Sequence, residues 1–368
     1  MRQILGAGVG VVTLEHLTQG AGKPLVDWLN EVQTPPAKIP RKKPGHFEPL
    51  LIDQKGQAIR DVKAWEIHRQ TIRDAWLKFL GPMPTKRPPV KLKTLRIDQL
   101  DDCTRTLVRY EGEPGQFVEG YLLEPKNGHK PERIRNGKRP GIVALHQTTR
   151  DSIDEIAGVK GPEMQHLGLK FARRGYVVFC PRCFLWQNAP NYNAAVDQFR
   201  KRHPKTLGMH KMLYDAMRGV DVLASVPNID ATRLGAVGHS LGAKETFYLA
   251  AFDERIRSAV ASEGGIGFSF TNWDAPWYLG KGIHAKNFRR NHHELIALIA
   301  PRPFLILAGE KGRGAADGDR TWPFLEAALP VYHLYGKPAP LGLLNHRQGH
   351  SIPPKVFERI AEWFDGSL

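Results

Sequence analysis

Short apolar runs punctuate the chain from residue 141 onward: Gly141–Leu145, Tyr176–Cys180, Leu234–Val237, Ile256–Ala261, Phe304–Ala308 and Gly342–Leu344. They are too short for helices and have the unbroken apolar character of strands covered on both faces. Between them lie stretches of helical periodicity near Leu167–Arg174, Met209–Ser225, Ala243–Ala251, Glu294–Ile299, Trp322–Tyr335 and Pro354–Phe364. Buried strands alternating with helices predict a mostly parallel central sheet flanked by helices on both faces, an α/β architecture. Upstream, Thr104–Tyr110 and Phe117–Leu123 alternate as antiparallel strands that open the sheet. Trp65, Ile72, Trp76, Phe79 and Leu80 recur at helical spacing before Gly81-Pro82, which predicts an amphipathic helix packed on the main domain. Residues 33–49, with five prolines among basic residues, are expected to be extended. The chain thus divides into an N-terminal arm and helix, 1–89, and a main domain, 90–368.

Composition narrows the function classes. The 368 residues are 41% hydrophobic and 24% charged, ordinary globular values, and no apolar run is long enough to cross a membrane. The formal net charge of +16 raises nucleic acid as a partner. The basic residues fall in separate loop-like runs, however: Arg41-Lys42-Lys43, Lys126 to Arg139, Arg200-Lys201-Arg202 and Arg289-Arg290. None forms a helical stripe or interleaves with aromatics, so neither nucleic acid nor membrane is an expected partner. A solvated basic surface suits acidic polysaccharide instead. Cys103, Cys180 and Cys183 do not make a disulfide scaffold. Cys180-Pro-Arg-Cys183 lacks the second pair that a zinc site needs, so two partly buried thiols and no metal or cofactor are expected. Arg2 followed by Ile4–Val12 has some features of an export signal, yet the apolar stretch is short and glycine-rich with no A-x-A site, which leaves the compartment open.

In a parallel sheet the working groups collect beyond the carboxyl ends of the strands. There the chain places Gly238-His239-Ser240-Leu241-Gly242, between an apolar strand and a helix. A serine between two glycines at that spacing fits a nucleophile elbow, with the helix N-terminus aimed where an oxyanion forms. Serine needs a base to take its proton, and the base needs a third group to orient it. His350, just before the last helix, stands where the order nucleophile, acid, histidine wants the base, and His346 is its nearest rival. The acid is open between Glu263, after the strand that follows the elbow, and Asp317 or Asp319, one strand later. The oxyanion donors are the backbone N–H of Leu241 and a donor from Gln147, in the loop after the Gly141–Leu145 strand.

Leu145-His146-Gln147, Gly238–Glu245, Ser262-Glu-Gly-Gly265, Leu295–Pro303 and Gly349-His350 together resemble α/β-hydrolases of the dienelactone-hydrolase and acetyl-xylan-esterase type, extending toward glucuronoyl esterases. The resemblance spans about residues 90–365. It implies the α/β-hydrolase fold, an acyl-enzyme mechanism without cofactor, and a small-molecule or polysaccharide ester as substrate. In glucuronoyl esterases the acid lies 23 residues past the serine, which is Glu263 here, so the resemblance favours Glu263 over Asp317. It also implies that Lys244, four residues past Ser240, contacts sugar hydroxyls. Glucuronoyl esterases carry arginine directly after the nucleophile. Leu241 stands there in this chain, which points to a broader acetyl or carbohydrate esterase. His146 at its strand end, with Trp273 and Trp277 in the irregular region, is expected to line the substrate pocket. The competing classes are a serine peptidase of the same fold and a non-catalytic carbohydrate-binding protein.

Overall fold

Nine strands form one sheet among the described residues: β1 (Lys93–Gln99), β2 (Cys103–Glu113), β3 (Gln116–Pro125), β4 (Arg139–Leu145), β5 (Val177–Pro181), β6 (Ile229–His239), β7 (Ile256–Ser262), β8 (Phe304–Ala308) and β9 (Leu341–Asn345). Their spatial order is β1-β2-β3-β5-β4-β6-β7-β8-β9. β1 to β3 pair antiparallel and β3 meets β5 antiparallel, whereas β5, β4 and β6 to β9 run parallel. The computed structural model describes residues 23–39 and 47–368. The signal-like stretch at the N-terminus and the Arg41-Lys42-Lys43 run lie outside them. Among the described residues no helix is long and apolar enough to cross a membrane.

Side chains alternate across a strand, so each buried strand feeds two layers. Val143, Phe179, Ala236, Ala261 and Ile306 point into one core. That core is shared with the helices Val62–Leu80, Gly208–Ala224, Leu241–Phe252 and His292–Ile299. Ile142, Val178, Val237, Val260 and Leu305 point the other way, toward the helices Leu167–Arg173 and Pro354–Ser367. This two-sided burial is why the strands read as unbroken apolar runs and not as alternating ones.

The N-terminal helix begins at Asp61, whose side chain accepts the Ala64 N–H, and ends at Gly81. Gly81 sits at φ 84°, and a Cβ there would meet the Lys205 carbonyl at 2.0 Å. Its aromatic stripe is core: Trp65 and Trp76 are fully buried, and Trp76 donates through Nε1 to Glu294 at 2.8 Å. The short helix Leu29–Val32 lies over β9, with Val32 filling the space above Gly342. The described residues before 90 therefore share the core of the main domain. Trp76→Ala is expected to cost roughly 3–5 kcal/mol in urea unfolding, because it empties a packed site and strips a donor from a buried carboxylate.

Much of the basic charge has structural employment. Arg139 donates to the carbonyls of His129, Lys130 and Gly175, and Arg133 pairs with Asp365. The three cysteines are free and buried, with burial pushing the Cys180 and Cys183 thiols up, so the C-x-x-C spacing is a packing feature.

Candidate active site

Ser240 sits between β6 and the helix Leu241–Phe252 with φ 58° and ψ −115°, a left-handed conformation that costs a non-glycine residue energy. The flanking glycines make the bend sterically possible. A Cβ on Gly238 would meet the Gly242 carbonyl oxygen at 2.2 Å, and one on Gly242 would meet the Leu145 oxygen at 2.0 Å. The second contact matters for chemistry as well as shape, since it presses the helix N-terminus against the end of β4. Leu241 N–H, in the first turn where helical donors lack intrahelical partners, and the turn at His146-Gln147 are thereby neighbours of Ser240.

One strand over, Glu263 follows β7 with φ 57°, a second strained non-glycine residue at a strand end. Its carboxylate is buried and accepts the Ala316 N–H at 2.9 Å through Oε2. His350 Nδ1 lies 3.8 Å from the same oxygen, and His346 Nε2 lies 3.5 Å from Oε1. These separations are charge–dipole contacts slightly longer than completed hydrogen bonds. Burial works to raise the Glu263 carboxyl, but His346, His350 and the Ala316 N–H outweigh it and hold the group down at about 2. The carboxylate is thus ionised at any working pH.

The histidine loop is fastened to β8. His346 N–H donates to Ala308 O at 2.9 Å, and the Glu310 and Lys311 N–H groups both donate to Gln348 O. Arg347 pairs with Glu310 and Asp319. Gly309 lets the parts close up, because a Cβ there would meet Glu263 Oε1 at 2.2 Å and the Gln348 oxygen at 2.7 Å. Gly309→Ala removes no functional group, yet it is expected to lower kcat by about tenfold or more by displacing the carboxylate, while a fluorescence-monitored melt still shows a cooperative fold. Wild-type kcat in that variant would refute the argument.

His350 comes to Ser240 by way of its neighbour. The His350 and His239 ring centroids are 4.4 Å apart, and His239 is held by Ser262 Oγ at 2.9 Å. Among the described residues Ser240 Oγ makes no hydrogen bond to the His350 ring. His239 and His350, with Gln147, Gln165, Met164 and Ser351, line a cleft of about 300 Å³, open space included.

Other residues singled out in the sequence lie elsewhere. Asp317 does not face His350. Its carboxylate accepts the N–H groups of Gly265 and Ile266, both at 2.8 Å, and the Thr321 hydroxyl at 2.7 Å. It braces the turn after Glu263. Asp319 is engaged with Asn345 and Arg347. Lys244, expected from the resemblance to contact sugar hydroxyls, is 4% exposed. It donates to Gly264 O and Thr271 and lies 3.9 Å above the Trp273 ring. Burial brings its ammonium down to about 7, against the pull of Asp317. Trp273 is buried beneath it and donates to Gly265 O, so neither residue lines the cleft. His146 is likewise buried. Its Nδ1 meets Gln147 O at 2.9 Å, and its Nε2 accepts the Cys183 N–H at 3.1 Å. Desolvation lowers it to about 4, so the ring is a neutral brace for the loop that carries Gln147. In this structure all three side chains are buried and held by the protein's own groups, His146 at the edge of a small cavity that Gln147, Gln165 and His239 also line. Trp277 stays half-buried and packs on Tyr192. Gln147 donates its amide to Glu155 at 2.6 Å. Glu155 and Gln165 escaped the sequence reading because no spacing marks a brace supplied by a separate loop. His239 had a signal, its place beside Ser240.

Residues 134–293 match the dienelactone hydrolase family, a span that includes Gln147, Ser240 and Glu263 and stops before the histidine loop. YtaP of Bacillus subtilis, which bears the name of a hydrolase, is 24% identical over 254 residues, 66% of this chain and 80% of that protein. A glucuronoyl esterase from Solibacter usitatus superposes with a TM-score of 0.68 at 17% identity, covering 88% of this chain and 98% of that one. A family 15 glucuronoyl esterase from Teredinibacter turnerae gives 0.66 at 18% identity, over 87% and 89%. An acetyl xylan esterase from Paenibacillus sp. R4 gives 0.52 at 15%, over 81% and 99%. At such identities the structural likeness speaks to the fold, and the fold is that of the α/β-hydrolases. Residues 134–293 are thus similar to the dienelactone hydrolase family, and they lie within a nine-stranded, mostly parallel sheet of the α/β-hydrolase fold.

Proposed function

We propose that the protein is a serine-dependent carboxylic ester hydrolase acting on acylated carbohydrate through an acyl-enzyme. The observation that carries this is a buried, ionised Glu263 beside the His350 ring, which lies against the residue preceding a strained Ser240. His350 Nδ1–H faces the carboxylate, which leaves Nε2 to take the proton as Ser240 Oγ attacks the ester carbonyl. The imidazolium that forms is stabilised by Glu263, which stays ionised throughout. Leu241 N–H and Gln147 N–H receive the oxyanion, and the dipole of the Leu241–Phe252 helix adds to their field. Collapse expels the alcohol with the proton from His350. Water then repeats the sequence in reverse and frees the acid.

The substrate class follows from the relatives and from the lining of the cleft. Several structural relatives bear the names of glucuronoyl or acetyl xylan esterases, and polar residues, Gln147, Gln165 and Ser351 among them, line the cleft where the alcohol portion would sit. Leu241, its side chain in the core, stands where glucuronoyl esterases carry arginine, so the position after the nucleophile offers no cation to a charged uronate, which favours a small acyl group such as acetyl. The test compares acetylated xylan, a methyl glucuronate ester and p-nitrophenyl acetate. Faster release from acetylated xylan than from the glucuronate ester is expected, and the reverse order would assign a glucuronoyl-type esterase.

A further inference from the structure

The Glu263 carboxylate meets a second imidazole for which the mechanism above has no task. His346 Nε2 lies 3.5 Å from Oε1, while His350 Nδ1 lies 3.8 Å from Oε2. Glu263 Oε1, His346 Nε2 and His350 Nδ1 are all buried, and among the described residues none has another hydrogen-bond partner. The His346 tautomer follows from its surroundings. Gln348 N–H donates to Nδ1 at 3.2 Å, so the ring proton belongs on Nε2, facing the carboxylate. The His346 side chain is 3% exposed against 24% for His350, and His350, not His346, lines the cleft. His346 therefore reaches the carboxylate but not the substrate.

We infer that His346 is a positioning residue of this site: its Nε2–H occupies Oε1 of Glu263, so that Oε2 is the oxygen presented to His350. The inference rests on the assignment of Ser240, His350 and Glu263 as the triad. Without the His346 donor the carboxylate is held through Oε2 alone, by the Ala316 N–H and the His350 ring, and Oε1 is left buried with no donor to keep the group from turning. Two donors from one loop, anchored through Ala308 and Gln348, remove that freedom. Loss of the His346 donor also makes the carboxylate more basic, and a more basic carboxylate holds the His350 imidazolium more strongly. The other titratable groups facing this cluster are His239, stacked on His350 from β6, and Asp317, from the loop after β8. Arg347 is engaged outside it with Glu310 and Asp319.

The experiment measures kcat, KM and the pH profile of kcat/KM on p-nitrophenyl acetate for His346→Ala, His346→Asn and His346→Gln. NMR titration of the His350 ring resonances accompanies it. Alanine, and asparagine with its shorter reach, are expected to lose about tenfold in kcat with KM unchanged, the scale on which a group that orients a ligand acts. Their low-pH limb should move upward, because the stronger carboxylate keeps His350 protonated longer. Glutamine, whose amide can donate to Oε1, should restore both the limb and most of kcat. A folded alanine or asparagine variant that keeps wild-type kcat and an unmoved limb overturns the inference. So does a glutamine variant as inactive as Ser240→Ala, since His346 would then be the base itself. If the wild-type protein cleaves no ester, the proposed function has failed, and the NMR titration still decides: an unmoved His350 midpoint rejects the coupling, and an upward shift sustains it.

Discussion

Ser240→Ala is expected to cost roughly 10⁴-fold or more in kcat on a short-chain chromogenic ester, with KM little changed. The loss is large because one methyl group replaces the only atom that enters a covalent bond with the acyl group, and the oxyanion donors alone retain a small residual rate. A fluorophosphonate probe should label the wild-type protein and leave the variant unmodified, because labelling requires a serine already activated by its base. Alanine at this position also relieves nothing essential to folding, since the bend is set by Gly238 and Gly242, so the variant should melt close to wild type. Turnover within a few-fold of wild type would remove the hydrolase assignment. The non-catalytic carbohydrate-binding alternative would then gain.

Glu263→Gln should follow closely, at about 10³–10⁴-fold in kcat, and Asp317→Asn should not. The amide of glutamine can turn its NH₂ toward His350 Nδ1, which favours the tautomer with the proton on Nε2, where it cannot act as base. With the native carboxyl held at about 2, the group never protonates in the working range, so the variant should be equally impaired across the pH profile. The same depression has a stability consequence. Its folded value lies below the ordinary 4.5, so its contribution is full above that value and disappears as pH falls toward 2. Asp317→Asn instead replaces one of the oxygens that accept the Gly265 and Ile266 N–H groups. Its expected signature is a loss of about 1–3 kcal/mol in denaturant unfolding with kcat within tenfold. Should the two variants exchange signatures, the orienting acid would be Asp317.

These paired results separate what was legible in the chain from what was not. The elbow was legible because its requirement is local: Gly238 and Gly242 flank Ser240, and no other residue fits within about 2 Å of a carbonyl oxygen. The buried strands were legible because covering both faces of a strand leaves an uninterrupted apolar run. Trp65 and Trp76 announced a packed helix by their spacing, and both are fully buried. The burial of Lys244 was not legible, for an equally physical reason. A lysine in the first turn of a helix is ordinarily solvated, but every residue of Leu241–Phe252 is buried, so this ammonium turns inward onto Trp273. His146 at a strand end suggested a cleft, but no local pattern signalled that the Cys183 N–H would hold its ring from a separate loop.

By itself, then, the order of residues determined the sheet with its covering helices, the strained serine, and a histidine near the end of the chain. Each depends on interactions within a few positions or on a period set by the backbone. Only the tertiary structure decided which carboxylate stands at His350, that a second ring shares it, and which polar side chains are buried. Those outcomes depend on loops from β7, β8 and β9 meeting in space. A pairing across such loops leaves no spacing in the sequence, because the chain between its members varies in length without altering their contact.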